Sequence, residues 1–420
     1  MNTDTKPILV IGAGVAGMTA ALETAELGYS VILVEKEPFL GGRVLRTHRY
    51  FPKMCPPTCR FEINVRRMRQ NPRITVHTLS TVEEISGRVG HFNVRIKKKP
   101  RYVTGSHSLD NTALAQLKSE RSNDINFGMD KTKAVYLPLD MAYPPVHVLD
   151  RDALSEEDAD TLLKICPPGA VDLNMSEDEI EIEVGAVIVA TGWRPYDATK
   201  LDNLGFGRCR NVITNVMMER LAARDGPTGG EIVRPSDGEK ACNVAFVQCA
   251  GSRDENHLPY CSAVCCMASM KQARYVREKN QDSKATIFYI DIRAVGRHEK
   301  FYYNMLEDPG VSFIKGKVAE IQEDPASNNL ILDVEDTVMR KTLHQGFDLV
   351  VLATGIAPNT GDVPIPFDLK YDAYGFIDGS KGVDGIYAAG CAKRPCDVSK
   401  AVKDAMAASI KAIQRLDKGE

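Results

Sequence analysis

The sequence predicts an α/β protein with two parallel sheets, the second inserted into the chain of the first. Three features carry this expectation. A short apolar strand, Ile8–Ile11, runs through Gly12-Ala13-Gly14-Val15-Ala16-Gly17 into a helical pattern and then a second strand, Val31–Val34. Two later apolar segments echo one another, residues 185–195 containing Ala190-Thr191-Gly192 and residues 347–359 containing Ala353-Thr354-Gly355. Between them, residues 244–252 read as a strand that opens a further unit of the same kind.

The β-branched run Ile8–Ile11 suits a central parallel strand, buried on both faces. Gly12 permits the tight turn that follows, Gly14 lets the backbone approach a pyrophosphate, and Gly17 lets the helix pack closely on the strand. The start of that helix offers free N–H groups and a positive dipole end to phosphates. Apolar periodicity carries the helix to about Leu27, Gly28 ends it, and the next strand closes on Glu35, within usual reach of ribose hydroxyls. A lone glycine motif is weak evidence, but the strand, turn, helix, strand and acid together specify a dinucleotide site. Residues 185–190 and 347–354 read as buried strands that run into glycine and proline turns. Residues 385–390 read as a further strand, and a last helix is expected from about Val398 to Leu416.

With 420 residues, 43% of them apolar, the chain can bury large cores and form two or three domains. A formal charge of −3 leaves little field for nucleic acid. The basic run Lys97-Lys98-Lys99-Pro100-Arg101 reads as a solvated strand end. No stretch approaches 18 uninterrupted apolar residues, so contact with a membrane is expected only through a partner. Lys6 and Pro7 lead directly into the first strand, so no secretory signal is expected and the protein is read as cytoplasmic.

Cysteine placement is uneven. Cys249, Cys261, Cys265 and Cys266 lie where the second unit would carry its phosphate loop, and residues 244–252 hold a single glycine, Gly251. Packing alone explains scattered thiols, but it has no use for the adjacent side chains of Cys265 and Cys266. A disulfide framework does not suit a long chain without a secretory signal. Four thiolates are what an iron–sulfur cluster requires. The spacing C-x11-C-x3-C-C meets that count without matching the common ferredoxin pattern, and a buried thiol group and a zinc site remain the alternatives. Cys55 and Cys59, in Cys55-Pro56-Pro57-Thr58-Cys59, have three readings: a strained redox pair, part of a site shared with a partner, or thiols packed beneath a cofactor. Ser155-Glu156-Glu157-Asp158 reads as a helix start with a capping box, with Leu162, Leu163 and Ile165 on the buried side.

Gly41-Gly42-Arg43, the paired Ala-Thr-Gly strands and the closing strand at 385–390 resemble the two-dinucleotide-binding-domain, thioredoxin-reductase-like flavoproteins. Phe51-Pro52 leading to Cys55 and Cys59, Tyr260-Cys261 with Cys265-Cys266, and Ala389-Gly390-Cys391-Ala392 narrow the resemblance further. Over nearly the whole chain these resemble the A subunits of heterodisulfide reductases, and more closely the shorter A subunit of quinone-interacting membrane-bound oxidoreductase complexes. The resemblance implies FAD held by Gly12, Gly14, Ala16, Gly17, Glu35, Lys36, Gly42, Arg43, Ala190, Thr191, Gly192, Ala353, Thr354, Gly355, Gly390 and Cys391. It also implies a [4Fe–4S] cluster on Cys249, Cys261, Cys265 and Cys266. The last FAD helix would aim its N-terminus at the isoalloxazine.

Two departures stand out. Cys391 occupies a position where related flavoproteins carry an Asp that contacts the ribityl chain, and residues 102–182 replace the two-cluster ferredoxin module of longer relatives. Cys166-Pro167 keeps a ferredoxin-like ending, but no cysteine precedes it in residues 101–165, so the insertion reads as a degenerate docking module. The expected divisions are residues 1–101 and 346–420 for the FAD domain, 183–200 for its crossing, 102–182 for the insertion and 201–345 for the cluster-bearing domain. The implied role is electron transfer in a membrane-attached complex on the cytoplasmic side of the inner membrane. Its partners would be a second flavin and iron–sulfur subunit, joined by a haem-bearing membrane subunit. Exchange would run between menaquinone and adenylylsulfate reductase. The rivals are a stand-alone NAD(P)H-dependent disulfide or quinone reductase, and a scaffold that keeps FAD without using it.

Overall fold

The computed structural model describes residues 6–51, 53–105, 109–379 and 382–418; Pro52 of the Phe51-Pro52 stretch lies outside them. Five parallel strands form the first sheet, in the order Ile386–Ala388, Ala186–Val189, Ile8–Ile11, Val31–Val34 and Ile74–His77. Ile8–Ile11 takes the centre because all four of its residues are buried and both of its backbone edges are paired. Ile8 stands opposite both Ala186 and Val31, so three strands run in step and the glycine turn opens at their carboxyl ends, where open α/β sheets bind ligands.

Helices Val15–Glu26 and Val398–Asp417 pack on one face of this sheet. Alanines at 20, 21, 405, 408 and 412 allow the close approach, and Ser409 Oγ donates to the Ala20 carbonyl at 3.2 Å. An antiparallel sheet of Ser80–Arg88, His91–Lys98 and Asp178–Val184 covers the other face through Phe92, Val94 and Ile96. Asp178–Val184 pairs with His91–Lys98 along its length, so the chain has returned to the first unit before residue 183.

The second sheet has seven strands, ordered Val212–Thr214, Leu349–Thr354, Asn243–Ala250, Lys284–Tyr289, Val311–Glu323, Leu330–Asp336 and Lys341–Phe347. The first five run parallel, and the last two continue from Val311–Glu323 as an antiparallel meander. The long apolar segment at 347–357 is divided: Leu349–Thr354 is buried throughout, and Ile356–Pro358 leaves the sheet to pair antiparallel with Trp193–Pro195. Both passages of chain between the two units are thereby joined in one ribbon.

The insertion builds its own small core from Val103, Leu114, Val135, Leu149, Leu162 and Val171, among others. It also touches both units: Ile125, Leu139 and Ala142 pack into the first core, Met129 packs against the second, and Asn126 Oδ1 accepts from Arg220 Nε at 2.8 Å. Three expectations are corrected here. Leu163 is 51% exposed while Leu162 is fully buried, because successive residues on a helix point about 100° apart. Ser155 does cap helix Glu156–Ile165 by accepting from Asp158 N at 3.2 Å. The reciprocal half of the capping box is missing, since Asp158 instead accepts from Lys118 N and Ser119 N; the Ser119 side chain first, then these two backbone bonds, hold its carboxyl below the usual range. Arg101, read as solvated, donates to Pro38 O, Thr78 Oγ1 and Val146 O, and burial pushes its guanidinium down to about 10.

One buried ionic group ties the units together. Glu219, on helix Asn215–Ala222, faces Lys271 of helix Cys265–Lys279 at 2.9 Å, with both side chains less than a tenth exposed. Glu219 also accepts from Gln272 Nε2 at 2.7 Å, Tyr275 OH at 3.3 Å and His48 N at 3.1 Å. Lys271 donates in turn to the Arg49 carbonyl at 2.6 Å. His48 and Arg49 belong to the first unit and the rest to the second. Removing one partner of such a pair strands a buried charge, so Lys271→Met is expected to destabilise the fold by ~3–5 kcal/mol. Glu219→Gln together with Lys271→Met should recover part of that loss. Denaturant unfolding of the two variants checks this, and a Lys271→Met protein within about 1 kcal/mol of the parent would contradict it.

Candidate functional site

The glycine turn is shaped by what surrounds each glycine. Gly12 has φ +97°, and a Cβ there would fall 2.5 Å from the Ala190 carbonyl oxygen. A Cβ on Gly17 would fall 1.7 Å from Gly12 O, so both positions are closed by backbone. Gly14 differs, because a Cβ there meets nothing nearer than Gly42 Cα at 4.0 Å. That open flank lies at the start of helix Val15–Glu26, which no side chain caps. It is the space a pyrophosphate would occupy. Gly42, at φ +58°, closes the far wall, and Gly41 N donates to Ala13 O at 2.8 Å.

Glu35 braces this cradle from beneath. Its two carboxylate oxygens accept from Ala13 N at 2.6 Å and Glu37 N at 2.9 Å, while burial raises its pKa. Lys36 beside it is exposed. Arg43 donates from Nε to the Trp193 carbonyl at 2.6 Å and lies over the Trp193 ring, and burial pushes it down to about 10. Thr191 Oγ1 is buried without a hydrogen-bond partner among the described residues, a polar atom left for a ligand. Gly390 closes on Ala16, to which a Cβ at Gly390 would stand 3.1 Å.

Several residues at this site carry no local sequence signal. Asp404, from helix Val398–Asp417, accepts from Gly390 N at 2.9 Å and pairs with Lys393 at 3.0 Å, placing a carboxylate where Cys391 cannot. Asn359 donates to the Thr191 carbonyl at 2.7 Å. The N-terminus of Val398–Asp417 is capped by the Asp397 side chain, which accepts from Lys400 N at 2.8 Å, so a carboxylate partly offsets the dipole at that helix start.

Ala353, Thr354 and Gly355 are placed elsewhere than expected. They end a strand of the second sheet, beside the cysteines: Thr354 O accepts from Cys265 Sγ at 3.7 Å, and a Cβ on Gly355 would strike Ser252 Oγ at 2.2 Å. The two Ala-Thr-Gly strands look alike because each closes a parallel strand into a crossing, yet Ala190 walls the glycine turn and Thr354 walls the cysteine loop.

The cysteine loop is tightly held. The register of Asn243–Ala250 against Leu349–Thr354 shifts between Val247 and Ala250, and Cys249 lies in that irregularity at φ +57°. Arg253 and Ala263 share the left-handed conformation, uncommon for side chains with a Cβ. Ser252 and Ser262 join hydroxyl to hydroxyl at 2.8 Å, and Ser262 Oγ accepts from Ile356 N at 2.9 Å, pinning the loop to the interunit ribbon. Cys265 and Cys266 begin helix Cys265–Lys279 and are buried. Cys266 Sγ approaches Asp291 O at 3.7 Å, and Cys261 Sγ accepts from Ala263 N at 3.3 Å.

All four thiols lie within electrostatic reach of one another. Burial pushes Cys249 up to about 11, Cys265 further still and Cys266 upward, and the neighbouring thiols add to the rise at each. Four thiolates gathered here would therefore need a bound cation, which is the donor chemistry of a metal cluster. Among the described residues, no three Cys, His, Asp or Glu side chains converge as a closed metal-binding group. Cys55 and Cys59 are free: Cys55 Sγ turns to Lys53 O at 3.8 Å, and Cys59 is exposed on helix Thr58–Gln70. The structure does bring together a pair that no motif links, Cys391 and Cys396, with sulfurs 3.7 Å apart.

The FAD-dependent oxidoreductase family profile matches residues 7–70. The chain is 38% identical over 433 residues to the second iron-sulfur A subunit of the CoB–CoM heterodisulfide reductase of Methanopyrus kandleri, covering 98% of this chain and 64% of that one. Identity is also 38%, over 431 residues, to the A subunit of the H2:CoB-CoM heterodisulfide,ferredoxin reductase of Methanothermobacter thermautotrophicus, with the same coverages. The A subunit of a ferredoxin/F420H2-dependent CoB-CoM heterodisulfide reductase from Methanosarcina acetivorans is 37% identical, with 98% of this chain and 53% of that one aligned. The chain thus spans between about half and two-thirds of these relatives' own length. In fold it is similar to the thioredoxin reductases of Lactococcus lactis and T. acidophilum, each at a TM-score of 0.54, with 15% and 14% identity, 99% of this chain covered, and 100% and 99% of theirs. Over nearly its whole length the chain is a homologue of the heterodisulfide reductase A subunits, built on the two-domain flavoprotein fold.

Proposed function

We propose that this chain is an electron-transfer oxidoreductase subunit that carries FAD in the glycine cradle and a [4Fe–4S] cluster in the cysteine loop. The carrying observation is the second unit's loop. A phosphate site would need glycines that open the backbone there, and this chain instead sets Cys249, Cys261, Cys265 and Cys266 around one strand end and helix start. The name of the Methanopyrus relative, an iron-sulfur subunit, agrees with that donor set. Flavin chemistry would supply electron pairs and a cluster single electrons. The chain's own part would be to hold the two sites in a fixed arrangement and to keep Cys265 and Cys266 buried.

On this reading electrons enter and leave through partner subunits. The resemblance to the shorter A subunits points to a membrane-attached complex with a second flavin and iron–sulfur subunit, together with a haem-bearing membrane subunit. It would exchange electrons between menaquinone and adenylylsulfate reductase on the cytoplasmic face. No helix among the described residues is long and apolar enough to cross a membrane, so attachment would come through a partner. Anaerobic detergent extraction should bring these subunits down together and show menaquinol oxidation. A free homodimer without companions would defeat the complex.

Gly14→Val should leave a folded but flavin-free protein, because its side chain enters open space where the pyrophosphate would lie. Gly17→Ala should damage the fold itself, since its Cβ meets backbone. Flavin absorbance and circular dichroism separate the two, and full FAD in Gly14→Val would remove the assignment.

The cluster predicts roughly four irons and four sulfides per chain. Cys265→Ser or Cys266→Ser should abolish the paramagnetic signal of the reduced cluster while FAD remains; zinc without iron in anaerobically prepared protein would refute it. NADH and NADPH should fail to bleach the flavin of the isolated chain, and rapid stoichiometric bleaching would favour a stand-alone reductase.

A further inference from the structure

Cys391 and Cys396 form a buried sulfur pair outside the cysteine loop. Their Sγ atoms stand 3.7 Å apart, and Cys391 Sγ also approaches the Cys396 carbonyl at 3.6 Å. Both residues are more than nine-tenths buried, in a cluster with Ala401 and against Ala16 and Trp193. Ala16 belongs to the glycine turn and Trp193 receives Arg43, so the pair packs directly on the cradle assigned to FAD. Gly390, immediately before Cys391, closes on Ala16, and Asp397, immediately after Cys396, caps the last helix. The two sulfurs therefore sit on a short loop fixed at both ends.

From this placement we propose that Cys391 and Cys396 are a redox-active dithiol that exchanges an electron pair with the flavin. The inference rests on the reading that FAD occupies the cradle. In the oxidising direction both S–H bonds break and one S–S bond forms. The two electrons and two protons released pass to the oxidised flavin, which becomes the two-electron-reduced form; the reverse step restores the thiols. The 3.7 Å between the sulfurs must close to a disulfide length of about 2.05 Å. Hydrogen bonding with Cys396 favours the Cys391 thiolate, the nucleophile such closure needs. Burial keeps soluble thiols away, which leaves the adjacent flavin as the exchange partner. The pair would store two electrons beside a cofactor that must divide them for a one-electron cluster.

The test uses the full chain with FAD bound, prepared anaerobically and divided. One portion is reduced with dithionite and the other reoxidised in air; both are acid-quenched and alkylated, then reduced and labelled with a second alkylating agent. Peptide mass spectrometry should find Cys391 and Cys396 carrying the second label in the oxidised portion and the first label in the reduced one. Dithionite titration should consume two more electrons per chain in the parent than in Cys396→Ser or Cys391→Ser. In the flavin-free Gly14→Val protein the pair should stay as thiols after the same exposure to air. Flavin absorbance of the starting material separates the two failures. Protein without flavin overturns the cofactor reading and this inference with it. Full flavin with both thiols free after oxidation, or a pair that oxidises equally without flavin, overturns this inference alone. The mass spectrometry needs no variant, so a serine variant that fails to fold does not rescue the proposal.

Discussion

The buried carboxylate of Glu219 sets how the two sheets stand to one another. A charge taken from water must be met by partners that are all in place at once. Here those partners come from both units: Lys271, Gln272 and Tyr275 from one helix, the His48 backbone from the loop after Gly42–Leu45. Because Lys271 lies on the helix that begins with Cys265 and Cys266, the same contacts that satisfy Glu219 fix the cysteine loop relative to the glycine turn. The distance between the two candidate redox sites is a consequence of that arrangement.

Two further devices resist relative motion. The antiparallel ribbon of Trp193–Pro195 and Ile356–Pro358 joins the crossings, and Ser262 attaches the cysteine loop to it through Ile356 N. The insertion then packs against both cores and supplies Asn126 to the buried Arg220. The fold resembles that of thioredoxin reductases, and in this chain the two units are braced at three places.

The sites differ in how they handle charge. The cradle presents an uncapped helix start, an open flank at Gly14 and the orphaned hydroxyl of Thr191, all features that accept an anionic ligand. The cysteine loop does the opposite, since burial and mutual proximity push Cys249, Cys265 and Cys266 toward the neutral thiol. Their walls are nevertheless cut from the same strand pattern.

Local sequence determined the parallel strands, the glycine turn with its acid, and the gathering of four cysteines, because each depends on residues close along the chain. Ile8–Ile11, Val31–Val34 and the helix ending before Gly28 were legible for that reason. Errors arose where a distant partner decided the outcome. Arg101 is held by carbonyls from two other segments, and Asp158 turns to Ser119 instead of its own helix start. Asp404 and Cys396 carry no motif, and only the packing of the last helix against Val15–Glu26 brings them to the glycine cradle. Residue type and spacing fix what a segment can bind. Which segments share a wall is set by side chains that meet only once both sheets have formed.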